Sequence, residues 1–361
     1  MIAFLDTFRS KFLKLSLQVQ VLKQLFLNRS NRIFVLFTIA FLFYLSASLF
    51  FPLWVLLAGP IIWGVPHLIS SLRYTNLNFD RRQKYRLHAF QFTAWTLVFA
   101  YRFCIDILQF DLFWSQHTLL FETCVLMASF LFQTYVVKRW TLQNLIYFFL
   151  FTGLILSTYF FTIETALVAL IGHNYVPLFA WFKSCQNKKD LKTFVYASFL
   201  FITASALILF GAFDGLYQFI KPSGQISFLN WDYSEVIAPF VSENYDYQFW
   251  FRIVVLYAFS QALHYFIWLK AIPENFQQSE HPPSFRWSYL KLSNDFGSSS
   301  VLLLGLLILM TSGIWLVYEF QVARLVYFGL ASYHGFMEIS AIPFLKSNLR
   351  TNLNSSSNRA Q

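Results

Sequence analysis

The stretch IFVLFTIAFLFYLSASLF, residues 33–50, is eighteen residues long and carries no charge. At about 1.5 Å per residue, a helix of this length covers about 27 Å, close to the hydrocarbon thickness of a bilayer. Lipid offers no partner for backbone N–H and C=O groups, so the run predicts a transmembrane helix. Similar apolar runs recur at 52–72, 88–110, 117–137, 142–161, 164–182, 193–213, 249–269, 298–318 and 322–345, making ten predicted spans. The whole chain agrees, with 57% hydrophobic and 12% charged residues, where a soluble domain carries roughly 25% charged. The sequence therefore predicts an all-α, polytopic transmembrane helical bundle over residues 33–346. A Ser/Asn-rich tail, 347–361, is expected to be disordered in the cytosol. The 46 Phe and 19 Tyr are expected mainly on the lipid-facing surface.

Charge predicts the topology. Arg29 and Arg32, the loop 73–87, Lys138 and Arg139, the cluster Lys183 to Lys192, and the tail all fall on one side of a ten-span chain. Loop 214–248, on the other side, holds five acidic residues against Lys221 alone. The positive-inside rule then puts both termini in the cytosol. The net charge of +10 is explained by these clusters beside spans and does not call for nucleic acid. Residues 1–32 lack the apolar core of a signal peptide. Leu5, Phe8, Phe12, Leu15, Val19, Leu22 and Phe26 recur there at spacings of three and four, with Arg9, Lys11, Lys14 and Lys23 off the stripe. This predicts a basic amphipathic helix, either in the inner leaflet or packed on the protein's own cytosolic face. Cys104, Cys124 and Cys185 have neither disulfide nor zinc spacing.

Of seven histidines, His117 and His281 fall in loops or at a span end, and His88 opens a span at the interface. His67, His173, His264 and His334 lie inside spans. Counted from the predicted cytosolic ends at about 1.5 Å per residue, His67 and His264 are about 7 Å deep, His173 about 14 Å and His334 about 17 Å. Glu338, one turn after His334 on the same helix face, is about 10 Å deep. Each residue alone reads as an interhelical hydrogen bond. Together, four imidazoles and a carboxylate in one leaflet point to a shared metal site. Small and polar neighbours strengthen it: Gly64, Gly172 and Gly335 for close approach, and Asn174 and Gln261 as groups that orient imidazoles. Nitrogen-rich ligands with at most one carboxylate suit Fe(II), Zn or Cu.

The segment GVPH, residues 64–67, resembles the GxPH segment of bacterial Brp/Blh-type β-carotene 15,15′-dioxygenases. That resemblance implies a polytopic protein of the bacterial inner membrane with an intramembrane iron. His67 is the matching ligand, and His173, His264 and His334 correspond by role. It implies O₂-dependent cleavage of a carotenoid or another long apolar chain, taken from the lipid. Two other classes stay open from the residues themselves. One is a transporter or permease in which the His and Glu form a proton or ion relay. The other is a zinc-dependent intramembrane hydrolase.

Overall fold

A computed structural model describes residues 2–20, 23, 28–76, 79–108, 118–138, 140–219, 247–276, 284–297, 305–306, 310 and 320–345. Every regular element among them is helical. The helices used below are α1 (Ile2–Ser16), α2 (Arg29–Phe50), α3 (Pro52–Thr75), α4 (Arg81–Arg102), α5 (Thr118–Val137), α6 (Leu142–Phe160), α7 (Glu164–Ser184), α8 (Lys188–Leu209), α9 (Gln248–Asn275), α10 (Phe285–Phe296) and α11 (Phe320–Ala341). Seven of them, α2, α3 and α5 to α9, are long and apolar enough to cross a membrane. The predicted spans 88–110 and 322–345 fall on α4 and α11, which are not among the seven. Both carry charge, α4 at Arg81, Arg82, Lys84, Arg86 and Arg102, and α11 at Arg324 and Glu338. The predicted span 298–318 lies almost wholly outside the described residues, as do the tail 347–361, His117 and His281.

Local chemistry sets the helix starts. Asn28 caps α2 by accepting from the Asn31 N–H at 3.0 Å. Asp80 and Gln83 form a reciprocal capping box on α4. Asn187 accepts from the N–H groups of Lys189 and Asp190, both at 2.9 Å. The N-terminal segment differs from a single helix over 1–32. Helix α1 ends at Ser16, and α2 already begins at Arg29. Helix α1 rests against α10, where the Arg286 N–H donates to Asp6 at 3.1 Å. Phe4, Phe8, Phe12 and Leu15 remain exposed on it.

Helix α9 is the centre of the bundle. Its best membrane window is 83% buried, against 17–56% in the other six. Phe259 meets Phe41 of α2 at 5.8 Å and Phe201 of α8 at 5.6 Å between ring centroids. Phe37, Phe130, Phe201 and Phe259 are fully buried, whereas Phe43, Phe149, Phe160, Phe199 and Phe210 are exposed. Outward-facing aromatics suit a hydrocarbon solvent.

Contacts between helix ends sort those ends onto two faces. On one face, Arg29 pairs with Asp190 at 2.9 Å and Arg32 with Glu274, joining the starts of α2 and α8 to the end of α9. Asn275 donates to Ser184 at 3.1 Å, adding the end of α7. Tyr74 stacks on Phe276, Gln83 donates to the Val136 carbonyl, and Phe79 meets Phe344. These add the ends of α3, α5 and α11. On the other face, Arg102 bonds Glu122 at 2.7 Å and Arg252 pairs with Asp214. The described parts of the basic segments, 73–76 and 79–87, Lys138, and 183–192, therefore flank one common face.

Four of the charges at that face are not solvent-exposed flanks, unlike Arg82, Arg86, Lys188, Lys189 and Lys192, which are exposed. Arg29, Arg32, Asp190 and Glu274 are all buried. Asp190 also accepts from Ser30 at 2.6 Å and from the Gln186 N–H at 3.1 Å. Glu274 takes both the Arg32 guanidinium and, at 2.8 Å, Lys270. Such multiply bonded pairs offset the desolvation that burial imposes.

Candidate metal centre

The helices that carry His67, His173, His264 and His334 are each deformed near the polar residue, and each deformation accompanies a proline. In α3, Pro66 lacks an N–H and crowds the carbonyl of Ile62, and the turn Pro60–Gly64 widens to the π form. In α9, Pro273 follows the π turn Ile267–Ala271 in the same way. In α7, Pro177 follows the 3₁₀ turn His173–Tyr175, which holds His173 itself. In α11, Pro343 lies in the 3₁₀ turn Ile342–Phe344, just beyond Glu338. A residue added to or removed from a turn rotates the later side chains by about 100°. The π turn ahead of His67 and the 3₁₀ turn that holds His173 therefore help set where those two rings point.

His67, His264 and His334 come together in the buried interior. One ring nitrogen from each lies within 4.8 Å of the others. The Nε2 atoms of His67 and His334 are 3.0 Å apart. Glu338 Oε1 is 2.8 Å from His334 Nε2 and 3.7 Å from His264 Nε2. All four residues are at most 6% exposed. His173 sits beside them, its ring 5.3 Å from that of His264, but outside the three-histidine group and partly exposed.

Hydrogen bonding fixes how most of these rings present themselves. His67 Nδ1 lies 3.1 Å from the carbonyl of Trp63, and His173 Nδ1 3.1 Å from that of Ala169. A carbonyl only accepts, so each Nδ1 carries the proton and each Nε2 offers a lone pair. His334 Nδ1 is 3.2 Å from Ser71 Oγ, whose own proton goes to the Leu68 carbonyl at 3.0 Å. The serine therefore accepts, and His334 Nε2 is also a bare lone pair. The His334 lone pair then faces that of His67 at 3.0 Å and a carboxylate oxygen of Glu338 at 2.8 Å. Both nitrogens of His264 and both oxygens of Glu338 are buried without a well-formed hydrogen bond, although the Asn174 backbone lies near His264, and Trp268 and Ser71 lie near Glu338. That is unfavourable unless a cation or shared proton lies among them. Two ligands about 2.1 Å from one ion and at right angles are about 3.0 Å apart, so the spacing fits a transition-metal coordination edge. The donor set of imidazole and carboxylate suits such an ion. Cys185, the buried cysteine, instead donates to the Trp181 carbonyl at 3.4 Å.

Several supporting residues differ from those the sequence suggests. Asn174 donates to Ser260 at 3.0 Å and Gln261 to Tyr257 at 3.1 Å, so neither amide is bonded to an imidazole through these contacts. Backbone carbonyls and Ser71 orient the rings instead. Tyr265 packs its ring 4.3 Å from His67, into space left by Gly59, where a Cβ would lie 3.0 Å from the Tyr265 ring. Gly335 does permit close approach, because a Cβ there would lie 3.2 Å from His173 Cγ. Gly172 does not serve that purpose, since a Cβ would meet nothing within 4 Å. Ser340 faces α5, accepting from Gln133 at 2.8 Å.

Depth is also revised. Helix α3 continues to Thr75 and α9 to Asn275, beyond the predicted ends at 72 and 269. Counted to the helix ends at the basic face, His334 lies about 10 Å deep, His67 about 12 Å, and His173 and His264 about 16 Å. The site is therefore near the middle of the helices and not close to the basic face. Compared with known protein families, with curated proteins and with solved structures, the chain matches none.

Proposed function

We propose that this protein is a membrane-embedded, metal-dependent oxygenase acting on an apolar, carotenoid- or lipid-like substrate. His67, His264, His334 and Glu338 hold the ion, most suitably Fe(II), with Zn as the alternative. One observation carries the reading. His334 Nε2 lies 3.0 Å from His67 Nε2 and 2.8 Å from Glu338 Oε1, three buried acceptor atoms in a row with the ring protons held on the Nδ1 side. When bound, iron supplies O₂ chemistry that amino-acid side chains lack. The protein residues supply the rest. The Trp63 carbonyl and Ser71 hold the ring tautomers, and Glu338 brings the negative charge that partly neutralises a divalent ion. Burial excludes water from the reacting region. The GVPH resemblance supports the choice of iron, since its matching residue, His67, belongs to this cluster. The basic face is assigned to the cytosol of a bacterial inner membrane, with ten spans and both termini inside.

A second reading rests on the same distances. Spacings of 2.8–3.0 Å along Glu338, His334 and His67 also fit hydrogen bonds if protons are shared. Buried Ser71 and Thr75 continue from His334 toward the basic face. A permease would use such a line as a proton relay.

Metal analysis of the purified, detergent-solubilised protein separates the readings. About one equivalent of iron is expected from a single four-ligand site. Zinc in its place would favour hydrolytic chemistry. A protein that folds and holds no transition metal after loading would sink the oxygenase and leave the relay.

A further inference from the structure

Helix α1 presents a polar side to the protein and its apolar side outward. At about 100° per residue, Phe4, Phe8, Phe12 and Leu15 fall within one sector about 80° wide. All four are 55–72% exposed. Asp6 and Leu13 lie across the helix from them and are half-buried. The Asp6 side is the one that meets α10, where the Arg286 N–H donates to Asp6 at 3.1 Å. By the same count, Arg9 borders the apolar stripe on one side, and Lys11 and Lys14 border it on the other. Helix α10 is itself held at the basic face, because Asp295 pairs with Arg73 of α3 at 2.6 Å. It adds exposed Trp287 and Leu290, with the Lys291 ammonium 3.8 Å above the Trp287 ring.

In water this orientation is backwards, since a helix packed on a protein buries its apolar stripe. At the boundary between headgroups and acyl chains it is favourable. There the rings enter hydrocarbon, and the lysine stems reach back to the phosphates. We infer that α1 and α10 form a docking surface for the leaflet at the basic face, and that its occupant is anionic phospholipid. The inference goes beyond the proposed function and does not depend on the metal. Charge decides the lipid. The two helices carry Arg9, Lys11, Lys14, Arg286 and Lys291 against Asp6 and Asp295. Both acids are already bonded, to the Arg286 N–H and to Arg73. Each Lys or Arg near an anionic surface is worth about fivefold in partition. A second copy of the chain is a poor occupant, because the same positive surface would face itself.

The test uses the full-length protein in proteoliposomes, with Cys104→Ser, Cys124→Ser and Cys185→Ser as background. An environment-sensitive nitrobenzoxadiazole label is placed at Phe8→Cys or, across the helix, at Ser10→Cys. Both positions are exposed, so neither label displaces a buried contact. Size-exclusion elution and thermal unfolding check that each variant is folded. Quenching is read with a lipid carrying a nitroxide on its acyl chain and with aqueous iodide. In vesicles of phosphatidylglycerol and phosphatidylcholine, the nitroxide lipid is expected to quench the Phe8 label, and iodide the Ser10 label. Lys11→Gln combined with Lys14→Gln is expected to lower the inserted-to-released ratio of the Phe8 label about 25-fold in the same vesicles. Vesicles of phosphatidylcholine alone are expected to release it likewise. A Phe8 label open to iodide in the phosphatidylglycerol vesicles overturns the docking. One shielded from both quenchers overturns it too, since protein and not lipid then covers the stripe. Equal nitroxide quenching in the two kinds of vesicle, or an unchanged ratio in the double variant, overturns the assignment to anionic lipid.

Discussion

The Nε2 atoms of His67 and His334 face each other across 3.0 Å, although 267 residues separate them in the chain. With Trp63 and Ser71 taking the Nδ1 protons, neither ring donates to the other. On the proposed reading, a metal ion bound here would convert this opposition of lone pairs into shared coordination. His67→Ala, His264→Ala and His334→Ala are therefore expected to abolish metal binding, measured as metal per protein after loading. His173→Ala should retain the ion with weaker affinity, because that ring stands outside the group. Full metal content in any two of the first three variants would defeat the assignment.

Ser71 offers a subtler probe. Its hydroxyl accepts from His334 Nδ1 and donates to Leu68. Ser71→Ala leaves the ring unanchored and free to adopt the other tautomer. Metal affinity, measured by chelator competition, should fall by about 10–100-fold with the protein still folded. Ser71→Thr keeps the hydroxyl and should recover most of the loss. Equal affinity in Ser71→Ala would mean that the serine does not set the tautomer.

Gly335 and Gly172 make a matched pair. A methyl on Gly335 meets His173 Cγ at 3.2 Å, while one on Gly172 meets open space. Gly335→Ala should lower thermal stability in detergent by about 1–3 kcal/mol through overpacking. Gly172→Ala should change it little, or raise it slightly through helix propensity. The reverse order would contradict the contact between α11 and His173.

The buried ion pairs at the basic face give the largest stability effects. Removing Arg29 alone strands Asp190 in a site with neither side chain more than 2% exposed. Arg29→Ala is expected to cost about 3–5 kcal/mol. Arg29→Met combined with Asp190→Leu should cost far less, because no charge is then left unpaired. Thermal unfolding of the single and double variants measures the difference. Additive losses would show that the two side chains act independently.

Much of the architecture is legible in the chain because lipid demands long apolar helices and charge marks one set of ends. Depth counting also directs attention to His67, His173, His264, His334 and Glu338, of which the structure brings His67, His264 and His334 into one group, with Glu338 against His334 and His173 beside them. What composition does not reveal is orientation. Asn174 and Gln261 have the right chemistry to orient an imidazole, yet their recorded partners are Ser260 and Tyr257. The carbonyls of Trp63 and Ala169 hold the rings. Every residue has a carbonyl, so no residue type announces that role. The non-α turns near Pro66, Pro177 and Pro273 further break the 3.6-residue period on which any face assignment depends. Arg29 and Arg32 mislead for another reason. They read as solvated flanks until their acidic partners, far along the chain, are known.

Those two arginines also set an order of events during synthesis. Asp190 follows Arg29 by 161 residues, and Glu274 follows Arg32 by 242. At about 5–20 residues per second, the second partner emerges about 12–48 s after its arginine. Until its partner is made, each guanidinium is expected to stay at the water-facing end of α2, where the positive-inside rule lets it favour one orientation. Arg29 can turn inward once α8 supplies Asp190, and Arg32 only when α9 supplies Glu274 and fastens the finished bundle. The same side chains act first as an address for insertion and later as a latch, and the latch closes only after the central helix is in place.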